Sequence, residues 1–232
     1  MQAICHIHEP AEAPRNQQDS FRDADRAQLS LLSSAERRCL VFLARRLPLW
    51  INSDHLTALG AASLFGAGLS YWYASRSRAG LLLATIFLAL NWLGDSLDGT
   101  LARVRNKLRP RYGFYIDHIL DTFGAFFLLG GIGLSGYMHP WIAAGLLVAY
   151  LMLSIEVYLA TYTVGTFHLS HWKLSPTELR ILLAAGNIAL MFEPAVRVFD
   201  IGGIFGIIGM AAMLLTAAAR HTALLYRQEQ IR

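Results

Sequence analysis

Hydrophobic segments recur along the chain from about residue 56 almost to its end, and polar stretches separate them. Each segment approaches the roughly 20 residues that a helix needs to cross the hydrocarbon core of a bilayer. The pattern therefore predicts an all-α integral membrane bundle of six transmembrane helices. We expect these spans at about 56–75, 79–103, 114–136, 139–166, 177–197 and 201–225.

The residues before the first span form two segments of different character. Residues 1–32 are mostly polar with intermixed charges, which is typical of a flexible arm. Ser33 and Glu36 then resemble a capping box that opens a helix over 33–47. Because arginines flank the leucines of this helix, we expect it to lie on the cytoplasmic surface of an anionic bilayer. We therefore divide the chain into an arm, 1–32, and a membrane domain, 33–232.

The composition and the distribution of charge support this architecture and exclude nucleic acid as a partner. The chain is 55% hydrophobic and 16% charged, which is too apolar for an ordinary soluble domain. The net charge is +4, but the basic residues lie mainly between apolar segments, as the positive-inside rule requires. Their distribution predicts that both termini, and the connection between the second and third spans, are cytoplasmic. That connection carries Arg103, Arg105, Lys107, Arg109 and Arg111.

Four aspartates gather at the cytoplasmic ends of the second and third predicted spans. Asp95 and Asp98 share one face of a helix, as do Asp117 and Asp121. A carboxylate at membrane depth costs at least about 2.5 kcal/mol, so the group needs a neutralising partner. Two hard divalent cations, Mg²⁺ or Mn²⁺, would cancel the four charges. The spacing therefore predicts a metal site that faces the interior of the bundle.

Small and basic residues beside these aspartates indicate a site for a phosphate. Gly99, Ala102 and Gly113 would let a ligand approach the backbone, and Arg103 could bind a phosphate oxygen. We expect 104–112 to be a tight connection in which Pro110 helps to end the preceding helix. Two ions and an arginine suit substitution at a phosphate, with a carboxylate taking the proton of an attacking alcohol. The residues alone predict this reaction class and no particular substrate.

The string D-x-x-D-G-x-x-A-R followed by G-x-x-x-D-x-x-x-D resembles the signature of the CDP-alcohol phosphotransferase (CDP-alcohol phosphatidyltransferase) family. Members are integral membrane enzymes that transfer the phosphoalcohol or phosphatidyl part of a CDP-linked donor to an alcohol and release CMP. The resemblance extends over about 34–225 and implies a homodimer. Nine residues separate Arg103 from Gly113 where eight are usual, a difference that a connection absorbs easily.

The resemblance implies a role for each residue of the signature. Asp95, Asp98 and Asp117 would be metal ligands, and Asp121 would be both a ligand and the general base. Gly99, Ala102 and Arg103 would border the CDP moiety, and Gly113 would give close access to the backbone.

The branch of the family is less clearly indicated than the family itself. Asp117-His118, the run 161–166 and Thr177-Glu178 resemble the choline and ethanolamine phosphotransferases, whose acceptor is diacylglycerol. The length of the chain instead resembles that of bacterial enzymes that use CDP-diacylglycerol. We favour the first branch and keep the second as the alternative.

Several polar residues outside the signature have two interpretations each. Glu156 either bonds a neighbouring helix or lines the acceptor site, and we expect His118 to pack rather than to act as the base. Arg180 is first a positive-inside residue and second a phosphate ligand. The residues of the connection after the fourth span are expected at the membrane interface. They are His168, His171, Trp172 and Lys173.

Two other classes of membrane protein also place acidic residues in helices. A membrane prenyltransferase would carry a second Asp-rich motif, and the sequence has none. An ion transporter would spread its acidic residues through the thickness of the membrane, whereas here they gather at one end. A catalytically inactive scaffold would not need the complete signature. The pattern favours an enzyme.

Overall fold

The structure is a computed structural model that describes residues 33–164, 176–193 and 197–229. Within these residues every regular element is a helix, so the predicted all-α class is confirmed there. The arm at 1–32 lies outside the described residues, and its flexibility stays a prediction. The helices are α1 Ser33–Arg46, α2 Ser53–Ala74, α3 Ala79–Val104, α4 Pro110–Leu134, α5 Pro140–Val164, α6 Pro176–Phe192 and α7 Val198–Gln228.

Four of these helices are long and apolar enough to cross a membrane, namely α3, α4, α5 and α7. They correspond to the second, third, fourth and sixth predicted spans. Helix α6 has 17 residues. At 1.5 Å per residue it is about 25 Å long, shorter than the roughly 30 Å hydrocarbon core. The spans assigned to α2 and α6, and the surface position of α1, therefore stay predictions.

The connection between α3 and α4 is shorter than expected. Helix α3 ends in a Schellman motif, in which Lys107 N–H donates to the Ala102 carbonyl at 2.8 Å and Asn106 has φ 53°. The expectation that Pro110 ends α3 was wrong, because Pro110 is the first residue of α4. Proline suits this position because the N–H that it lacks has no partner within a helix. Gly113 therefore lies in the first turn of α4.

Contacts between helices run around a ring in the order α2, α3, α6, α7, α5 and α4, and α1 packs against α3. Helix α2 packs against both α3 and α4, whereas α3 and α4 do not pack directly against each other. A buried network ties α2, α3 and α6 together, with Tyr71 donating to Asn187 at 2.9 Å and Asn187 donating to Thr85 at 3.0 Å. A gap therefore remains between α3 and α4, and α2 closes one side of it.

Glycines permit the close approach of α2 to both neighbours. A Cβ placed at Gly94 of α3 would lie 2.7 Å from the backbone nitrogen of Gly60 and from the Leu56 carbonyl. A Cβ at Gly131 of α4 would meet the backbone of Gly68. These contacts bring the backbones of α3 and α4 onto the same helix, so their aspartate-bearing ends lie side by side.

Candidate metal centre

Three of the four predicted aspartates converge in the gap between α3 and α4. Asp95, Asp117 and Asp121 each offer a carboxylate oxygen, and these oxygens all lie within 4.8 Å of one another. Asp117 and Asp121 are one turn apart on α4, and Asp95 faces them from α3. We call these three residues the aspartate cluster. All three side chains are half-buried, so the cluster is partly accessible.

The fourth aspartate, Asp98, lies beside the cluster and has other partners. Its Oδ2 accepts a hydrogen bond from the Thr57 hydroxyl at 2.7 Å, and its Oδ1 accepts one from the Gly99 N–H. The predicted convergence of four carboxylates thus holds for three. Asp98 nevertheless lines the same cleft as the other three aspartates.

The cleft that holds the aspartates has one wall on each of three helices. Helix α2 contributes small and apolar residues, α3 contributes Asn91 with its two aspartates, and α4 contributes Leu120 with its own two. The residues from α2 are Thr57, Gly60, Ala61 and Leu64. The cleft therefore has a compact apolar side and an acidic side.

The signature residues near the end of α3 and the start of α4 lie beside open space. A Cβ at Gly99 or at Gly113 would meet no atom within 4 Å. Ala102 is half-buried and Arg103 is exposed. Among the described residues, the guanidinium of Arg103 forms no hydrogen bond or ion pair. A ligand could therefore reach the backbone at both glycines and the guanidinium of Arg103.

Asn91 and Arg180 contact the aspartate cluster or its neighbours. The sequence had given no role to Asn91 and two alternative roles to Arg180. Arg180 of α6 donates from Nη2 to Asp95 Oδ2 at 2.7 Å and from Nε to Asn91 Oδ1 at 2.7 Å. Asn91 is 3% exposed and lies one turn before Asp95 on α3. That i, i+4 spacing was the available signal for Asn91, but nothing in the sequence indicated that α6 packs against α3.

The remaining polar candidates lie in contacts between and within helices. Glu156 of α5 bonds His221 of α7 at 2.6 Å, which agrees with the first of its two interpretations. The Nδ1 atom of His118 lies 2.6 Å from the Phe114 carbonyl, and its ring packs 5.0 Å from that of Tyr158. His168, His171, Trp172 and Lys173 lie outside the described residues.

The aspartate cluster fits hard divalent cations in its chemistry and its spacing. Mg²⁺ binds carboxylate oxygens at about 2.1 Å, and paired metal ions in phosphate enzymes lie about 3.5–4 Å apart. Oxygens within 4.8 Å of one another can bind one ion together or bridge two. Asp95, Asp117 and Asp121 would hold such ions, with Asp98 adjacent.

The comparisons with known proteins agree with this site. A family model described as CDP-alcohol phosphatidyltransferase matches residues 50–218, which include every residue of the signature. A protein of Aquifex aeolicus (strain VF5), named only as an uncharacterized protein, is 32% identical over 111 residues. These residues are 48% of this chain and 53% of that protein, so the match spans about half the length of the relative.

Proposed function

The chain belongs to the CDP-alcohol phosphatidyltransferase family, and from this premise we propose that it is a metal-dependent transferase of phospholipid synthesis. It transfers a substituted phosphate group from a CDP-linked donor to an alcohol acceptor and releases CMP. Family membership and the four apolar helices support head-group transfer by an integral membrane protein. The single observation that carries the proposal for this site is the aspartate cluster, which lies near the open space at Gly99 and Gly113.

Two Mg²⁺ or Mn²⁺ ions are the proposed cofactors. Asp95, Asp117 and Asp121 are proposed to hold them, and Asp98 is proposed as a further ligand. Such ions stabilise charge on the attacked phosphate and on the departing phosphate oxygen. The half-buried position of the carboxylates supports this role, because a partly dry site strengthens attraction between opposite charges.

The residues of this chain are proposed to bind the donor and to move one proton. Arg103 binds the pyrophosphate, and Gly99, Ala102 and Gly113 border the CDP moiety. Asp121 takes the proton of the acceptor hydroxyl as its oxygen attacks the β-phosphorus of the donor. The new P–O bond forms while the bond to the CMP phosphate breaks, and CMP leaves with the electron pair.

The proposed donor and acceptor follow the branch favoured by the sequence. CDP-choline or CDP-ethanolamine would donate to diacylglycerol, in line with Asp117-His118 and Thr177-Glu178. The alternative is a phosphatidyltransferase that uses CDP-diacylglycerol and a polar alcohol, as the length of the chain suggests. In both reactions CMP is a product, and the same aspartates perform the chemistry.

The other two classes have less support from the described residues. In that part of the chain, one group of three or more metal-ligating side chains is found, whereas a prenyltransferase needs two Asp-rich motifs. Glu156 and His221 form a hydrogen-bonded pair between α5 and α7, and the four signature aspartates line one cleft rather than a path through the membrane. These observations favour transfer chemistry over ion transport.

The proposal extends to topology and assembly. Both termini and the site are proposed to face the cytoplasm, according to the positive-inside distribution of arginines. Residues 33–232 would form the catalytic domain and 1–32 a flexible arm. A homodimer is proposed by analogy with the family.

Release of CMP by the purified protein with Mn²⁺ tests the function. CDP-choline or CDP-ethanolamine with diacylglycerol would be compared with CDP-diacylglycerol and polar alcohols. CMP from the first set supports the aminoalcohol branch, and CMP from the second supports the phosphatidyltransferase branch. Folded protein that releases no CMP from either set contradicts the proposal.

Asp121→Asn tests the general base in the same assay. We expect turnover to fall by at least about 10²-fold, the lower range for loss of a positioned base. Because the amide keeps the size of the side chain, CDP binding should change much less than turnover. Near-normal turnover in this variant would show that another residue takes the proton.

A further inference from the structure

A continuous set of hydrogen bonds connects α2 and α6 to the aspartate cluster through residues outside the signature. Asn91 Nδ2 donates to the Gly60 carbonyl of α2 at 3.0 Å, and Asn91 Oδ1 accepts from Arg180 Nε at 2.7 Å. Arg180 Nη2 then donates to Asp95 Oδ2 at 2.7 Å. The bonds therefore begin on the buried side of α3 and end on a proposed metal ligand.

The planar shape of the guanidinium makes both bonds of Arg180 possible at once. Asn91 and Asp95 are one turn apart on α3, so their side chains are neighbours on one face. Nε and Nη2 belong to one rigid fork, so the bond to Asn91 fixes the direction of the bond to Asp95. A lysine ammonium carries the same charge but has no such fork.

We propose that Arg180 is a positioning residue for Asp95, and that Asn91 sets the orientation of Arg180. By holding Oδ2 on the side of α6, Arg180 fixes the plane of the Asp95 carboxylate relative to Asp117 and Asp121. The placement of α6 thereby controls the shape of the metal centre. This inference rests on the proposed metal-dependent function and adds residues that the signature does not contain.

A second arginine also links α3 and α6, and it allows the positioning of Asp95 to be distinguished from the attachment of one helix to the other. Arg78, immediately before α3, donates from Nη1 to the Met191 carbonyl near the end of α6 at 3.3 Å. This bond is exposed, and its acceptor is a backbone carbonyl far along α6 from Arg180. The Arg180 side chain is 15% exposed and binds a member of the aspartate cluster. Arg78 is therefore the matched control.

Binding of Mn²⁺ to the purified full chain in the presence of CDP tests the proposal. Titration calorimetry gives the affinity, and the electron paramagnetic resonance spectrum of bound Mn²⁺ reports its ligand geometry. Arg180→Lys should lower the affinity by roughly 10- to 100-fold and alter the spectrum, as loss of an outer partner of a ligand does. Arg78→Lys should change neither quantity.

Three results would overturn the proposal. Wild-type Mn²⁺ affinity and spectrum in Arg180→Lys would show that charge alone suffices. Tighter Mn²⁺ binding would show that Arg180 competes with the cation for Asp95. An unmodified protein that binds no Mn²⁺ would overturn the proposed metal centre together with this inference.

Asn91→Ala gives an independent test if the lysine variant proves unstable. It removes the acceptor of Nε and leaves Arg180 and Asp95 in the chain. We expect the Mn²⁺ affinity to fall less than in Arg180→Lys, because the bond to Asp95 can still form with a less fixed direction. Unchanged affinity in Asn91→Ala would overturn the role of Asn91.

Discussion

Two glycines on α3, five residues apart, face opposite environments. Gly94 lies against the backbone of α2, where an added Cβ would come within 2.7 Å of the Gly60 nitrogen and the Leu56 carbonyl. Gly99 lies beside open space, where an added Cβ would meet nothing within 4 Å. Glycine at these two positions of α3 is therefore explained in two different ways.

This difference distinguishes a packed region from a ligand-accessible region within one helix. At Gly94 of α3 and Gly60 of α2, the absence of side chains lets the two helices approach each other, and the protein itself occupies the space. Around Gly99 and Arg103, no part of the described chain uses the space. Because glycine in a helix interior costs about 1 kcal/mol relative to alanine, Gly99 is better explained by a ligand than by packing.

Gly94→Ala should give the largest change in stability. The added methyl group meets backbone atoms that cannot rotate away, so α2 and α3 must separate, and overpacking of this kind costs about 1–3 kcal/mol. We expect a lower thermal unfolding temperature in detergent. An unchanged or higher unfolding temperature would show that the interface at Gly94 adapts, which would remove the contrast with Gly99.

Gly99→Ala should raise stability slightly and weaken the binding of CDP. Alanine is favoured in a helix by about 1 kcal/mol, so the unfolding temperature should rise slightly. The added methyl group would occupy space that the donor is proposed to fill. We therefore expect CDP affinity to fall by about tenfold, which corresponds to about 1.4 kcal/mol. Calorimetric titration with CDP measures this. A variant with wild-type affinity would exclude Gly99 from the donor site.

Arg103→Lys should give the smallest of these effects. We expect CDP binding to weaken by about tenfold at most. Lysine keeps the charge but loses the bidentate geometry that suits a phosphate. Arg105→Lys is the control, because Arg105 donates to the carbonyls of Leu47, Pro48 and Ile51 and so holds the connection before α2. That control should affect stability and leave CDP affinity near its wild-type value. Equal CDP affinity in Arg103→Lys would argue against the proposed contact.

The agreement between sequence and structure is best where local spacing carries the information. The i, i+4 pair Asp117 and Asp121 was expected on one face of a helix, and it lies there. The position of Asp98 was not foreseen, because its partner Thr57 is 41 residues away in sequence. Spacing within α3 carries no information about this contact, because Thr57 belongs to α2.

The ends of helices show the same limit. The hydrophobic pattern predicted a helix over about 114–136, but α4 begins at Pro110. Hydropathy does not detect the first turn of a helix when that turn is polar. The preference of proline for the first helical position was the signal that would have located it. Gly113, which the predicted bounds left just before the helix, therefore lies in its first turn.

The amino-acid sequence by itself determined the all-α class, the apolar character of the long helices and the set of aspartates that can bind metal. These properties follow from hydrophobic periodicity and from residue spacing within single helices, which are local. Tertiary structure decided that α2 packs against both α3 and α4, that Thr57 holds Asp98 beside the cluster, and that Arg180 reaches Asp95 from α6. Such contacts depend on which helix faces which neighbour, and this depends on backbone approach at residues such as Gly60 and Gly94, which no spacing within one segment encodes.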